Sequence, residues 1–332
     1  MDKVFGLIVF SLFLSFALNY AFNLLFLRYN KIDVINQRSS HNTLATKSGG
    51  VSIFIGLFII TLVLYFLNLE LYDFSLLLPL GLMFITGVYD DFYNADFKLK
   101  FFIQLIVAKL FIDQGFLINN IHGLLGVYEI PYIISQLITA FVFLAIVNSI
   151  NFTDGIDGLA SSLIIFYLIT FETLMEFNSP LFYLNLVTVF LIIPFYFFNA
   201  KKKNKVFLGD AGSLFMGSLV YLNMVTYFND AHFQDSLNPV IISFTILIYP
   251  LLDLIRVFFL RIKNGVSPFI ADKNHLHHKL AYLYVNHYLR VILILGLSVL
   301  ILFLIVSIEN TLDSIYSVIL ILIISVLTLK IK

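Results

Sequence analysis

The sequence predicts an all-α integral membrane protein of about eleven transmembrane helices, with the N-terminus outside, the C-terminus in the cytosol and the active site on the cytosolic face. Three observations carry that expectation. The 332 residues are 60% hydrophobic and only 12% charged, with mean hydropathy +0.97, against roughly 25% charged residues in a soluble domain. Apolar runs close to the roughly 20 residues that cross a bilayer core recur along the chain, with no soluble-sized stretch between them. Residues 1–332 therefore read as a single polytopic domain. Of the 20 lysines and arginines, all but Lys3 and Lys109 fall in or beside 28–48, 90–100, 199–211, 256–290 and the C-terminus. The opposite loops carry Glu70, Asp73, Glu129, Asp230, Asp235, Glu309 and Asp313 and no basic residue, which sets the orientation by the positive-inside rule.

The run 4–27 is too long for a signal-peptide core and lacks an obvious small-residue cleavage site, so it reads as a retained helix. A second helix, 50–68, starts at a glycine pair, and a third, 74–89, ends at two aspartates. The fourth, 99–118, opens with Lys100 and Gln104 one turn apart on a common face. Helices 131–149 and 158–176 flank a polar segment, and 181–198 leads to a lysine-rich loop. The run 212–228 follows Gly209-Asp210, and 239–260 carries Asp253 and Arg256 three residues apart. Helices 289–308 and 312–330 close the chain. The absence of cysteine excludes disulfides, thiolate zinc sites and a cysteine nucleophile. The 37 phenylalanines suit lipid contact without locating a groove.

Five polar motifs fall on the cytosolic side. Arg38-Ser39-Ser40-His41 and Thr46 to Gly50 precede the second helix, where glycines let backbone approach an anion and Lys47 supplies charge. A basic loop of this kind also serves simply to fix topology. Asp90-Asp91 are adjacent carboxylates beside the bilayer, which call for a cation, a basic partner or a proton-transfer role unless they are a solvated helix end. Asn148 to Leu159 includes Asn151, Asp154 and Asp157, more polar groups than a plain helix link needs. Asp210, in Lys205 to Ser213, is a hard oxygen ligand suited to magnesium, while Lys201 to Lys203 read as interfacial anchors. The fifth motif runs from Gly265 to Phe269 and on through Asp272 to His278. His275, His277 and His278 lack the i, i+4 spacing and companion ligands of familiar zinc sites, so phosphate contact is the better reading.

In this order the motifs resemble the polyprenyl-phosphate N-acetylhexosamine-1-phosphate transferase family of bacterial envelope synthesis, over most of the chain. The most specific parts are Asp90-Asp91, Asn151 to Leu159, Phe207 to Ser213, and Asp253 to Arg261 with Gly265 to His278. The last stretch is similar to the branch that initiates O-antigen, enterobacterial common antigen or teichoic acid linkage units; Arg38 to His41 resembles relatives that use other N-acetylated sugars. The chain departs from the family in having no proline near Ala45 and a lysine at Lys47 where arginine is usual.

The resemblance implies transfer of a sugar phosphate, N-acetylglucosamine 1-phosphate in the first place, from a UDP-N-acetylhexosamine to undecaprenyl phosphate in the bacterial inner membrane, with release of UMP. It implies Asp90, Asp91, Asp154 and Asp157 as the catalytic carboxylates, with Asn151, Asp154 and Asp157 close to nucleotide or metal. Lys47, Lys100, Asn151, His275, His277 and His278 become substrate contacts, and Asp210 the ligand of Mg2+, with Mn2+ as substitute. Nucleic acid has no place in this scheme, and a homodimer stays open. The lipid phosphate, with a second pKa near about 6, is already mostly a dianion at neutral pH, which favours direct attack over a covalent aspartyl phosphate. A 6-deoxy sugar donor and UDP-N-acetylmuramoyl-pentapeptide are the alternatives within the family. A secondary transporter would gather its ionisable groups at mid-bilayer around broken helices and internal repeats, whereas these motifs sit at helix ends. A structural scaffold gives no reason for them.

Overall fold

A computed structural model of the protein describes residues 2–32, 45–201, 203–230, 237–267, 275–280, 286–311 and 314–329. Its helices are α1 Asp2–Arg28, α2 Gly49–Phe66, α3 Leu77–Tyr93, α4 Phe97–Asp113, α5 Tyr132–Thr153, α6 Leu159–Leu174 and α7 Phe182–Asn199. They continue as α8 Gly209–Asn229, α9 Pro239–Ile246, α10 Ile248–Lys263, α11 Leu276–Leu280, α12 His287–Thr311 and α13 Ser314–Leu329. Two short strands, β1 Ala45–Thr46 and β2 Lys205–Val206, pair in parallel with Ala45 opposite Lys205.

Among the described residues, seven helices are long and apolar enough to cross a membrane, or eight when the bent pair α9 and α10 is taken as one span. The fold is that of a multi-pass helical membrane protein. The difference from eleven lies in α4, α6 and α13, which are 17, 16 and 16 residues long. At a rise of about 1.5 Å per residue they reach only about 24–26 Å. The α4 helix stops early because Gly115, with φ of 95°, turns the chain out of helical space.

The expected helix 239–260 is broken, and this corrects the sequence reading. Its halves meet at 75° around Leu247. Pro250 has no N–H for the carbonyl of Ile246 and its ring crowds that carbonyl, which permits the break. Pro194 lies inside α7 without ending it, so side-chain partition has to supply the rest. One face of α10 buries Asp253, Arg256 and Arg261, while Ile255, Phe258, Phe259 and Ile262 are exposed. The bend turns the charged face inward and leaves the apolar one for lipid.

The α8 helix is the axis of the bundle, buried on every side and packed against α2, α3, α5 and α6. Small residues make the approach close, as is usual where backbones meet inside a membrane. A Cβ on Gly50 would stand 2.1 Å from Gly212 N, and one on Gly87 would stand 2.2 Å from Asp210 O. Along α1, Ser11, Ser15, Asn19 and Asn23 recur at i+4 and are all buried. Ser15 Oγ donates to Leu191 O at 2.5 Å. At the end of this seam Asn23 accepts from Thr46 Oγ1 at 3.0 Å and donates to Asn204 O at 3.0 Å, tying the β1 and β2 segments to the bundle.

Candidate active site at one end of the bundle

The start of α8 collects the sequence motifs. A helix N-terminus leaves backbone N–H groups without helical partners and carries partial positive charge. Here two carboxylates from elsewhere in the chain take them. Asp91 accepts from Asp210 N at 3.1 Å through Oδ1 and from Ala211 N at 3.0 Å through Oδ2, while Asp154 Oδ2 accepts from Gly209 N at 3.1 Å. Lys47 Nζ stands 3.3 Å from Asp91 Oδ1, whose side chain is only 3% exposed. The Gly49-Gly50 pair, expected to admit an anion, is occupied instead: Gly49 N donates to Phe207 O and Gly50 N to Leu208 O, at 3.0 and 2.8 Å.

Asp210 itself points away from this cap. Asn151 Nδ2 donates to Asp210 Oδ1 at 3.0 Å and to Ser213 Oγ at 2.8 Å. Lys100 Nζ lies 2.6 Å from Asp90 Oδ2 and 3.6 Å from Asp210 Oδ2, so one ammonium bridges the two carboxylates. Asp90 Oδ1 takes Ala95 N at 2.7 Å, which fixes the α3–α4 turn and aims the other oxygen at Lys100. Gln104, one turn after Lys100, exchanges amide hydrogen bonds with Asn148, at 2.9 Å in the shorter direction. Asp90, Asp91, Asp154 and Asp210 thus share the ammonium groups of Lys47 and Lys100. Burial, with the Asp210 and Asp91 carboxylates close by, holds Asp154 well above the usual carboxylate range.

The α5–α6 junction joins this cluster to the histidines. Asn151 reaches Asp210, Asp154 caps α8, and Asp157 forms an ion pair with Lys205 of β2. Between them, the Phe152 ring lies 5.2 Å from that of His275 and 5.8 Å from the Arg261 guanidinium. A Cβ on Gly155 would stand 2.3 Å from His277 Nε2, so glycine is what lets the junction close on that ring. The His275 Nδ1 to Asp253 Oδ2 distance is 2.7 Å, and Arg256 Nη1 is 3.9 Å from Asp253 Oδ1.

The structure therefore brings Asp90, Asp91, Lys47, Lys100, Asn151, Asp154 and Asp210 around the start of α8, and His275 and His277 against the far side of the α5–α6 junction. Asp157 stands apart from the first group, on Lys205. His278 falls on α11, its side chain outside the described set, and Arg38 to His41 and Asp272 to Asn274 lie outside the described residues. Among the described residues no three histidine, aspartate or glutamate side chains converge as a ready metal site.

The sequence reading set Lys205 apart from the anchoring lysines 201–203, and the structure places it on Asp157; Tyr249 and Arg290 it passed over. Arg290 is buried near the start of an otherwise apolar helix and feels the charge of Asp157. A charge in such a helix is a signal the sequence does contain.

Residues 73–228, which hold α3 to α8, match the model of glycosyl transferase family 4. The undecaprenyl-phosphate alpha-N-acetylglucosaminyl 1-phosphate transferase of Yersinia pestis is 30% identical over 264 residues, 74% of this chain and 68% of that protein. The probable undecaprenyl-phosphate N-acetylglucosaminyl 1-phosphate transferase of Bacillus subtilis (strain 168) is 28% identical over 273 residues, 81% of this chain and 74% of that one. The corresponding Escherichia coli (strain K12) transferase is 28% identical over 284 residues, with 81% and 72% covered. The matched segment is built around α8, and the chain belongs to glycosyl transferase family 4.

Proposed function

We propose that the protein transfers N-acetylglucosamine 1-phosphate from its UDP-sugar to undecaprenyl phosphate and releases UMP, at the cytosolic face of a bacterial inner membrane. The observation that carries this reading is the bridge of Lys100 between Asp90 and Asp210, with Asn151 on the other oxygen of Asp210. Phosphoryl transfer is chiefly a matter of alignment and charge neutralisation, and this cluster supplies both. An oxygen of the lipid phosphate attacks the sugar-bearing phosphorus of the nucleotide sugar. The bond from that phosphorus to the oxygen of the nucleoside phosphate breaks, and UMP leaves with the electron pair.

The donor set fits magnesium. Asp90 and Asp210 lie 2.6 and 3.6 Å from the same Lys100 ammonium, and two carboxylates so close favour a shared cation. Magnesium commonly takes one or two carboxylates and fills its shell with substrate phosphates and water, so a third protein ligand is not required. Asp210, with Asp90, would hold it, and when bound it would neutralise the diphosphate charge. Asn151 keeps Asp210 oriented, and Lys100 adds a cation for the diphosphate or the lipid phosphate. Asp91 and Asp154 act through α8, whose first turn they hold in place. With both Asp91 oxygens engaged by backbone N–H groups, direct displacement is favoured over an aspartyl phosphate on that residue.

A nearly wholly apolar cavity of about 340 Å3 between α5, α8, α9 and α10, lined in part by Val142, Ile146, Phe228, Leu247 and Leu251, suits a segment of a prenyl chain. The topology proposed for the whole chain is eleven spans with the N-terminus outside. A donor panel tests the reading: purified protein with undecaprenyl phosphate releases UMP from UDP-N-acetylglucosamine or a deoxy or epimeric relative, and refuses UDP-N-acetylmuramoyl-pentapeptide. Release from the pentapeptide nucleotide alone would move the protein to another branch, and release from no UDP-sugar would defeat the reading.

A further inference from the structure

The bend at Leu247 turns Tyr249 and Asp253, one helical turn apart on α10, toward the histidine segment. Asp253 Oδ2 lies 2.7 Å from His275 Nδ1, and Asp253 Oδ1 accepts from Leu276 N at 2.8 Å. Tyr249 Oη lies 3.4 Å from His277 Nδ1 and also takes the backbone N–H of His277. The two imidazoles stack with centroids 5.5 Å apart and planes 10° apart. Asp253, His275 and His277 are 1%, 5% and 0% exposed, so water does not compete for these contacts.

A carboxylate offers no proton, so the hydrogen in the Asp253–His275 contact sits on Nδ1, and in the neutral form of the ring Nε2 is an acceptor. Tyr249 works the other way. Its oxygen accepts from the His277 backbone, its own proton is directed at Nδ1, and the ring hydrogen of His277 belongs on Nε2.

We propose that α10 sets opposite tautomers in the histidine pair, Asp253 holding the proton of His275 on Nδ1 and Tyr249 holding that of His277 on Nε2. Asp253 and Tyr249 are positioning residues, acting through the histidines on the α5–α6 junction that carries Asn151 and Asp154. His277 Nε2 faces the α5–α6 junction at Gly155, and the His275 ring lies against Phe152 of the same junction. His277 Nε2 is buried against that glycine, so the tautomers govern how the α5–α6 junction seats, and with it where Asn151 meets Asp210. The kinetic consequence rests on the transfer reading; the tautomers themselves do not.

The experiment is 15N-histidine NMR of the full-length protein in detergent micelles, assigned with His275→Gln and His277→Gln. Wild type should show His275 protonated at Nδ1 and His277 at Nε2. In Asp253→Asn the Leu276 N–H still requires Oδ1, so the new amide nitrogen faces His275 and donates to Nδ1. The ring proton must then move to Nε2 with no change of shape. The kcat for UMP release should fall roughly tenfold or more, as expected for a wrong tautomer, and the melting temperature should fall as well, because the buried Arg256 loses the Asp253 charge beside it. Tyr249→Phe should erode the Nε2 preference of His277 while leaving His275 unmoved. A wild-type spectrum with His275 protonated at Nε2 would overturn the proposal even if the variants failed to fold. So would an Asp253→Asn spectrum with its tautomer unmoved. If the proton moves as described but wild type forms UMP from no UDP-sugar, the tautomer assignment stands and the transfer reading falls.

Discussion

The side-chain amide of Asn151 donates to Asp210 Oδ1 at 3.0 Å, joining the end of α5 to the first turn of α8. A hydrogen bond to a charged group contributes about 1.5–3 kcal/mol. Asn151→Ala should therefore lower the melting temperature and, by releasing Asp210, lower the rate of UMP release by roughly 10- to 100-fold, in protein that still inserts. An unchanged rate would remove Asn151 from the site.

Asp91 is held by two backbone N–H groups of α8 and by Lys47, a capping arrangement. Asp91→Ala should lower stability by about 1 kcal/mol or somewhat more, read as a lower melting temperature in detergent. Because both oxygens are engaged, labelled UMP should not exchange into the UDP-sugar in lipid-free enzyme. Robust exchange that Asp91→Asn abolishes would establish a covalent route.

Gly50 packs backbone to backbone on Gly212, where a Cβ would stand 2.1 Å from the Gly212 nitrogen. Neither helix can yield without moving the start of α8. Gly50→Ala should give little folded protein, or protein with an active site displaced and inactive; full yield and activity would mean that α2 and α8 sit farther apart.

The proposed topology puts Asn204 and Asn310, both exposed, on opposite faces of the membrane. The chain has no cysteine, so single cysteines can be placed at each without background. The one at Asn204 should be blocked only by reagents that reach the cytosol, and the one at Asn310 by an impermeant reagent from outside. Labelling of both from one side would contradict eleven spans.

Much of the fold was legible because the lipid solvent imposes it. Runs of apolar residues and the distribution of lysine and arginine gave helix positions close to those observed. The break between α9 and α10 was not legible, since Pro194 and Pro250 look alike in sequence and only the burial of Asp253, Arg256 and Arg261 distinguishes the second. The meeting of Asp90, Asn151 and Asp210 was suggested by their common end of the helices. That Asp91 and Asp154 face the α8 backbone while Asp90 and Asp210 face Lys100 depends on side-chain direction, which spacing alone does not give. The i+4 polar seam of α1 was present in the sequence at full strength and lay hidden under the hydropathy of that helix.

Asp210, bridged to Asp90 by Lys100 and held by Asn151, is proposed as the metal-binding centre of the phosphosugar transfer. The most direct measurement is UMP release from UDP-N-acetylglucosamine as a function of magnesium, with undecaprenyl phosphate present, for wild type and Asp210→Asn. Wild type should release UMP only with both magnesium and lipid. Asp210→Asn, which removes charge and keeps shape, should lose roughly a hundredfold or more of that rate while remaining folded in the membrane. Near-normal turnover of Asp210→Asn at limiting magnesium would show that Asp210 does not hold the metal.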